Sequence, residues 1–321
     1  MLPTVDWSDT DGALSKLRQM TSGVAFTGAN DPEIIEESVD CPTRDGAFME
    51  LRVHRAATFS PVDAKPDSPL IVLFHGGHHT LGFPGTLSGV AGSIAKRFNA
   101  VVVSAGYRLA PEHPFPQGTE DAWDVVEWCG KNAVSTLYAE PSKGFIIGGV
   151  SSGGTMSIVL AHMARDKNLQ PPITGVYLAS ASVRAPNNDP SSLPAEYQDK
   201  FISRTQPECV DSPVLPKDMA AFMDRLYAAD TSSSLYAPLT WPSGHAGLPR
   251  TYLQVCGVDT SRDENLIFED MLKRENVPTR LELYEGLPHT FWTLFPNLSQ
   301  AGRWKEDTLK GFQWLLAGTS V

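Results

Sequence analysis

The sequence predicts an α/β protein in which a mostly parallel sheet is covered by helices on both faces. Two observations carry that expectation. Short runs rich in Val, Ile and Leu alternate along the chain with amphipathic stretches of helix length. The runs are apolar on both alternations, as strands buried on both faces must be. A length of 321 residues suits one such domain with an insertion.

The runs begin at Leu70 (LIVLFH), Ala100 (AVVVSAG), Gly144 (GFIIGGV), Ile173 (ITGVYLAS), Thr251 (TYLQVC) and Thr279 (TRLELYE). Helix-like stretches between them include LSGVAGSIAKRF, TEDAWDVVEWCGKNA, with Thr119 as its expected cap, and RDENLIFEDMLKREN. Two regions break the alternation: residues 1–45, and a Pro/Ser/Asn-rich span at 184–236 in which Met219 to Ala229 has helical spacing. The expected organisation is an N-terminal cap piece at 1–45 and a core at 46–183 and 237–321, with a cap insertion at 184–236.

Composition excludes several classes of function. Charged residues make up 20% of the chain, and 37 acidic against 26 basic residues leave a net charge of −11 without a Lys/Arg run. Nucleic acid and polybasic membrane contact are therefore not expected. Neither a secretory start nor a membrane-spanning apolar stretch is legible, so a soluble cytoplasmic protein is expected. Cys41, Cys129, Cys209 and Cys256 are scattered without a CxxC pair, which points to buried free thiols rather than zinc or disulfides.

The chemistry concentrates at Gly149-Val150-Ser151-Ser152-Gly153, between a strand-like run and a helical pattern. A tight strand-to-helix turn exposes its middle residue at the head of the helix, and the flanking glycines let neighbouring backbone approach. Ser151 is the candidate nucleophile, with Ser152 its neighbouring competitor. No P-loop lysine or G-x-G-x-x-G accompanies the turn, which argues against phosphate binding. After the first strand comes His75-Gly76-Gly77-His78, where glycines can present backbone N–H groups to an oxyanion; Gly76, Gly77 and Ser152 are the expected donors.

A serine of this kind needs a base and an orienting acid, in the chain order serine, acid, histidine. Five of the eight histidines precede Ser151, His162 lies in the following helix and His245 precedes the strand expected to carry the acid. His289, in the loop EGLPHTFW, remains. Asp259 lies just past a strand end, whereas Asp263, the second choice, falls where a helix starts.

Together, His75-Gly76-Gly77, Tyr107 to Glu112, Phe115-Pro116, Asp121-Ala122, Gly149 to Gly154, Asp259 to Glu264 and Pro288 to Phe291 resemble the hormone-sensitive-lipase-like family of esterases. The likeness runs from about residue 45 to the C-terminus. It implies the α/β-hydrolase fold, a Ser151–Asp259–His289 triad, oxyanion donors at Gly76, Gly77 and Ser152, and a cap made of the two irregular regions. This sequence departs from the family in placing His78 where a third glycine is usual and Val150 where an acid often precedes the nucleophile. The resemblance implies hydrolysis of carboxylic esters, and the few charges and the apolar residues of the cap point to small, largely apolar molecules with short to medium acyl chains. A lyase or cyclase step, or deacetylation of a secondary metabolite, is the alternative. His78, Phe201, Phe222, Leu226, Tyr227 and Trp292 are candidates for the substrate pocket. No cofactor or metal is called for; the expected partner is a small-molecule ester, with a homodimer left open.

Overall fold

All six runs are strands of one sheet, to which the chain adds two antiparallel strands at one side. The computed structural model describes residues 5–23, 31–59 and 66–318. Among these the sheet has eight strands: β1 (Ile34–Pro42), β2 (Phe48–Ala56), β3 (Leu70–Phe74), β4 (Val101–Ala105), β5 (Phe145–Val150), β6 (Gly175–Ala179), β7 (Arg250–Val258) and β8 (Thr279–Pro288). Their spatial order is β1-β2-β4-β3-β5-β6-β7-β8. From β4 to β8 all neighbours are parallel, while β1 and β2 join antiparallel.

The double-sided apolar pattern has a direct cause. Leu70, Val72 and Phe74 of β3 face one layer, with Trp123, Val126 and Ile158. Ile71 and Leu73 face the other, with Ile94 and Phe312. Successive side chains point to opposite faces, so a strand between two helical layers must be apolar at every position. The layers are built from α2 (Ser88–Phe98), α3 (Gln117–Lys131), α4 (Ser152–Asp166), α6 (Arg262–Arg274) and α7 (Ser299–Ala317). Thr119 is not the cap of α3: the helix starts two residues earlier, after Pro116, and Thr119 is buried in its first turn.

Outside the layers lie α1 (Thr10–Gly23) and α5 (Lys217–Tyr227), the latter inserted between β6 and β7. They share one hydrophobic cluster, Ala13, Leu14 and Leu17 with Phe222, Met223 and Leu226, which brings helices of the two irregular regions together. The sheet claims part of the first region, however. β1 pairs with β2 from Ile34↔Ala56 to Pro42↔Phe48, so the N-terminal cap piece does not extend to residue 45. As an edge strand with one largely solvated face, β1 carries few apolar residues. The four cysteines are buried and free. Among the described residues no helix is long and apolar enough to cross a membrane.

Backbone crowding fixes where β5 turns into α4. A Cβ on Gly153 would lie 2.0 Å from the Phe74 carbonyl oxygen, and one on Gly149 would lie 2.4 Å from it. Gly302 in α7 has nothing within 4 Å of such a Cβ. Gly153→Ala should therefore lower stability by about 1–3 kcal/mol, whereas Gly302→Ala should raise it by up to about 1 kcal/mol. Denaturant midpoints measure both, and equal effects would contradict the packing described.

Candidate active site

The loops at the carboxyl ends of β3, β5, β7 and β8 converge. In the turn between β5 and α4, Ser151 has φ 54° and ψ −123°, a strained conformation held by hydrogen bonds from its N–H to the Ala179 carbonyl (2.8 Å) and from the Thr155 N–H to its own carbonyl (3.0 Å). On the far side of the site Val258 pairs with Pro288 across a bulge, so Asp259 and His289 leave the sheet side by side. His289 Nε2 lies 2.9 Å from Ser151 Oγ, and His289 Nδ1 lies 2.6 Å from Asp259 Oδ2. Because a carboxylate only accepts, Nδ1 carries the proton and Nε2 is left to face the serine. The other oxygen, Asp259 Oδ1, accepts from the N–H (3.0 Å) and hydroxyl (2.9 Å) of Ser261. Both Asp259 and His289 are buried.

Asp263 serves elsewhere. Its Oδ2 accepts the backbone N–H groups of Ile202 (2.9 Å) and Ser203 (2.6 Å), fastening the cap insertion to the start of α6. Arg204 adds a 2.6 Å bond to the buried Glu264.

The glycine loop after β3 is pressed against the serine. A Cβ on Gly76 would lie 3.1 Å from Ser151 Cβ, and Gly77 has φ 126° with the Leu81 carbonyl oxygen 2.1 Å from where its Cβ would be. Among the described residues neither glycine N–H donates to a backbone carbonyl. The loop is braced from Tyr107 to Glu112. Tyr107 stacks on His75 at 4.3 Å, and its hydroxyl donates to the His75 carbonyl at 3.0 Å. Arg108 binds the fully buried Asp121 through its N–H (3.0 Å) and guanidinium (2.9 and 2.6 Å), and reaches Asp45 at 2.7 Å. Glu112 accepts two bonds from Arg18 of α1.

Ser151 and His289 open into a cavity of about 460 Å³. One set of walls lies beneath the cap and includes Leu81, Val214, Leu215, Met219 and Met223. The other lies between α2 and α7, with Val90, Trp292, Trp304, Thr308 and Leu309. Of the residues expected to line the pocket, His78 and Trp292 are on its walls, the latter stacked on Trp304 at 4.2 Å. The structure places the other four in packing. Phe222 and Leu226 face α1, one helical stripe away from Met219. Tyr227 stacks on the buried His79 at 4.1 Å, and Phe201 joins the main core. Aromatic content drew attention to the wrong stripe of α5; the Met219/Met223 pair, four residues apart, was the available signal. Among the described residues no cluster of three or more His, Cys, Asp or Glu is placed to hold a metal.

A family profile described as alpha/beta hydrolase fold matches residues 71–293. The chain belongs to that family. It is 37% identical to an AB hydrolase superfamily protein of Schizosaccharomyces pombe, over 86% of this chain and 78% of the relative. It is 29% identical to carboxylesterase NlhH of Mycobacterium tuberculosis, over 90% of this chain and 91% of that one. The solved structure of vibralactone cyclase superposes with a TM-score of 0.83 at 28% identity, covering 99% of this chain and 91% of that one. This α/β-hydrolase therefore has the fold implied by the resemblance of its motifs.

The α5 stripes should separate in experiment. Phe222→Ala should cost about 3–5 kcal/mol of stability, whereas the half-buried Met219→Ala should cost less and chiefly widen the range of bulky esters accepted. Unfolding midpoints and a substrate-size series measure the two. A pH dependence follows from Asp259. Burial alone would raise its carboxyl, but the charge of His289 and the hydrogen bonds from His289 and Ser261 outweigh it and hold it below the ordinary carboxylate value. With the folded value below the unfolded one, the carboxylate stabilises the fold above about pH 4, and that contribution is lost as pH falls through the folded value. Asp259→Asn should flatten the acid limb of stability measured by denaturant unfolding across pH.

Proposed function

We propose that the protein hydrolyses carboxylic esters of small, largely apolar molecules with short to medium acyl chains through an acyl-enzyme on Ser151. The observation that carries this reading is the unbroken line from Ser151 Oγ to His289 (2.9 Å) to Asp259 (2.6 Å) at the wall of an open apolar cavity. His289 Nε2 takes the hydroxyl proton as Oγ attacks the ester carbonyl. The oxyanion is received by the N–H groups of Gly76, Gly77 and Ser152. His289 returns the proton to the leaving alcohol, then activates the water that releases the acid and restores the serine. Asp259 stays ionised, fixing the tautomer and stabilising the imidazolium. The likeness to a carboxylesterase over nine-tenths of the chain supports the same chemistry.

The likeness to vibralactone cyclase favours one second reading. A hydroxyl on the acyl chain itself could attack the acyl-enzyme in place of water, closing a lactone and freeing Ser151. Mass analysis of the product from a hydroxyacyl ester separates the two, since the ring lacks the water that the acid contains.

Ser151→Ala should reduce turnover of p-nitrophenyl butyrate by about four orders of magnitude or more, with comparable loss in Asp259→Asn. An organophosphate should label the wild type at Ser151 and leave Ser151→Ala unlabelled. Wild-type rates in Ser151→Ala would end the proposal.

A further inference from the structure

The cavity has a second histidine on its wall, and that histidine has its own aspartate. His78 follows the two oxyanion glycines, with φ 53°, and lines the same cavity as Ser151 and His289. Its Nε2 lies 2.7 Å from Oδ1 of Asp224, on the cap helix α5. We propose that His78, oriented by Asp224, selects esters that carry a hydroxyl group on the chain lying beneath the cap. The proposal rests on the serine-hydrolase reading above and narrows its substrate class.

Proton accounting gives the ring its role. An ionised Asp224 can only accept, so Nε2 must donate, and in a neutral ring Nδ1 then has a lone pair and no hydrogen. Burial would raise the Asp224 carboxyl, but His78, Arg184 and Arg204 together hold it down at about 2, so it is ionised. Burial of His78, helped by the nearby charge of Arg184, outweighs the pull of Asp224 and favours the neutral ring. Nδ1 has no protein partner among the described residues. It is the one polar atom the ring can offer to the cavity, and it accepts.

The surroundings make that acceptor selective. Leu81, Val214, Leu215, Met219 and Met223 give the cavity wall beneath the cap its apolar surface, and the hydroxyl of Thr21, which also lines the cavity, donates to the Leu17 carbonyl at 3.0 Å. In such a setting an acceptor left unpaired is costly, so a ligand bringing a donor to it is favoured over one of the same size without a donor. A hydroxyl is the small neutral group that fits this requirement. The ring is held between the oxyanion loop and the cap helix, which limits its rotation. The glycine usual at this position would supply no acceptor.

The test compares esters that differ by one hydroxyl. p-Nitrophenyl β-hydroxybutyrate against p-nitrophenyl butyrate places it on the acyl side; glycol monobutyrate against propyl butyrate places it on the alcohol side. For one of the pairs the wild type should favour the hydroxylated ester by about five- to ten-fold in kcat/KM. His78→Gly, a substitution the positive φ accommodates, should bring that ratio to near unity, and Asp224→Ala, which frees the ring, should lower it. A ratio is the readout because a general loss of activity does not move it. Absence of preference in both wild-type pairs, or a ratio unchanged in His78→Gly, would overturn the inference. Ser151→Ala run beside these distinguishes the two levels. Full turnover in that variant fells the serine reading, whereas lost turnover there with an unchanged ratio in His78→Gly fells only the role of His78.

Discussion

Where β3 and β5 end side by side, their backbones approach until no side chain fits between them. Gly149 and Gly153 both crowd the Phe74 carbonyl, and Gly76 crowds the Val150 carbonyl and Ser151 Cβ. This contact brings together two things that acyl transfer needs, a hydroxyl held in a strained turn and backbone donors beside it. The parallel register of β3 with β5, Phe74 opposite Gly149, sets the contact before any side-chain chemistry is considered. The remaining members follow from a second register, Val258 opposite Pro288, which releases an acid and a base together.

Around this backbone knot the polar groups act mainly as braces. Asp121 is fully buried and holds three donors of Arg108, so the segment behind the oxyanion loop has little freedom. Tyr107 ties that segment to the carbonyl of His75, and Asp263 with Glu264 pins the cap insertion to α6. Charges close to the nucleophile are thereby spent on position. The cavity lining is mostly apolar, with Ser151, His289, His78, Lys305 and several threonine and serine hydroxyls as its polar groups.

The sheet and the convergence of Ser151, His289 and Asp259 were legible in the sequence for one physical reason. A strand buried on both faces must be apolar at every residue, and the loops at strand ends must carry glycine and the reactive groups, so composition and order reveal both. β1 was not legible because an edge strand needs few apolar residues, and its IIEESVDCP reads as surface. The pocket walls were legible only in part. Phe222, Leu226 and Tyr227 are as apolar as the residues that line the cavity, and only the pairing of α5 with α1 decides which stripe faces it. The bond between His78 and Asp224 joins positions 146 residues apart, and no local pattern announces such a contact.

Arg18 links parts of the chain that the fold otherwise keeps separate. From α1 it donates to Glu112 and to the carbonyls of Thr80 (3.2 Å) and Ala110 (3.0 Å), bridging the first helix to the loop that carries Gly76 and Gly77 and to the segment that braces it. α1 thus props both the glycine loop that lies against Ser151 and the segment behind it. Displacing α1 would therefore loosen the glycine loop against Ser151 from one side, while α7 meets the same cavity from the other through Trp304, Thr308 and Leu309.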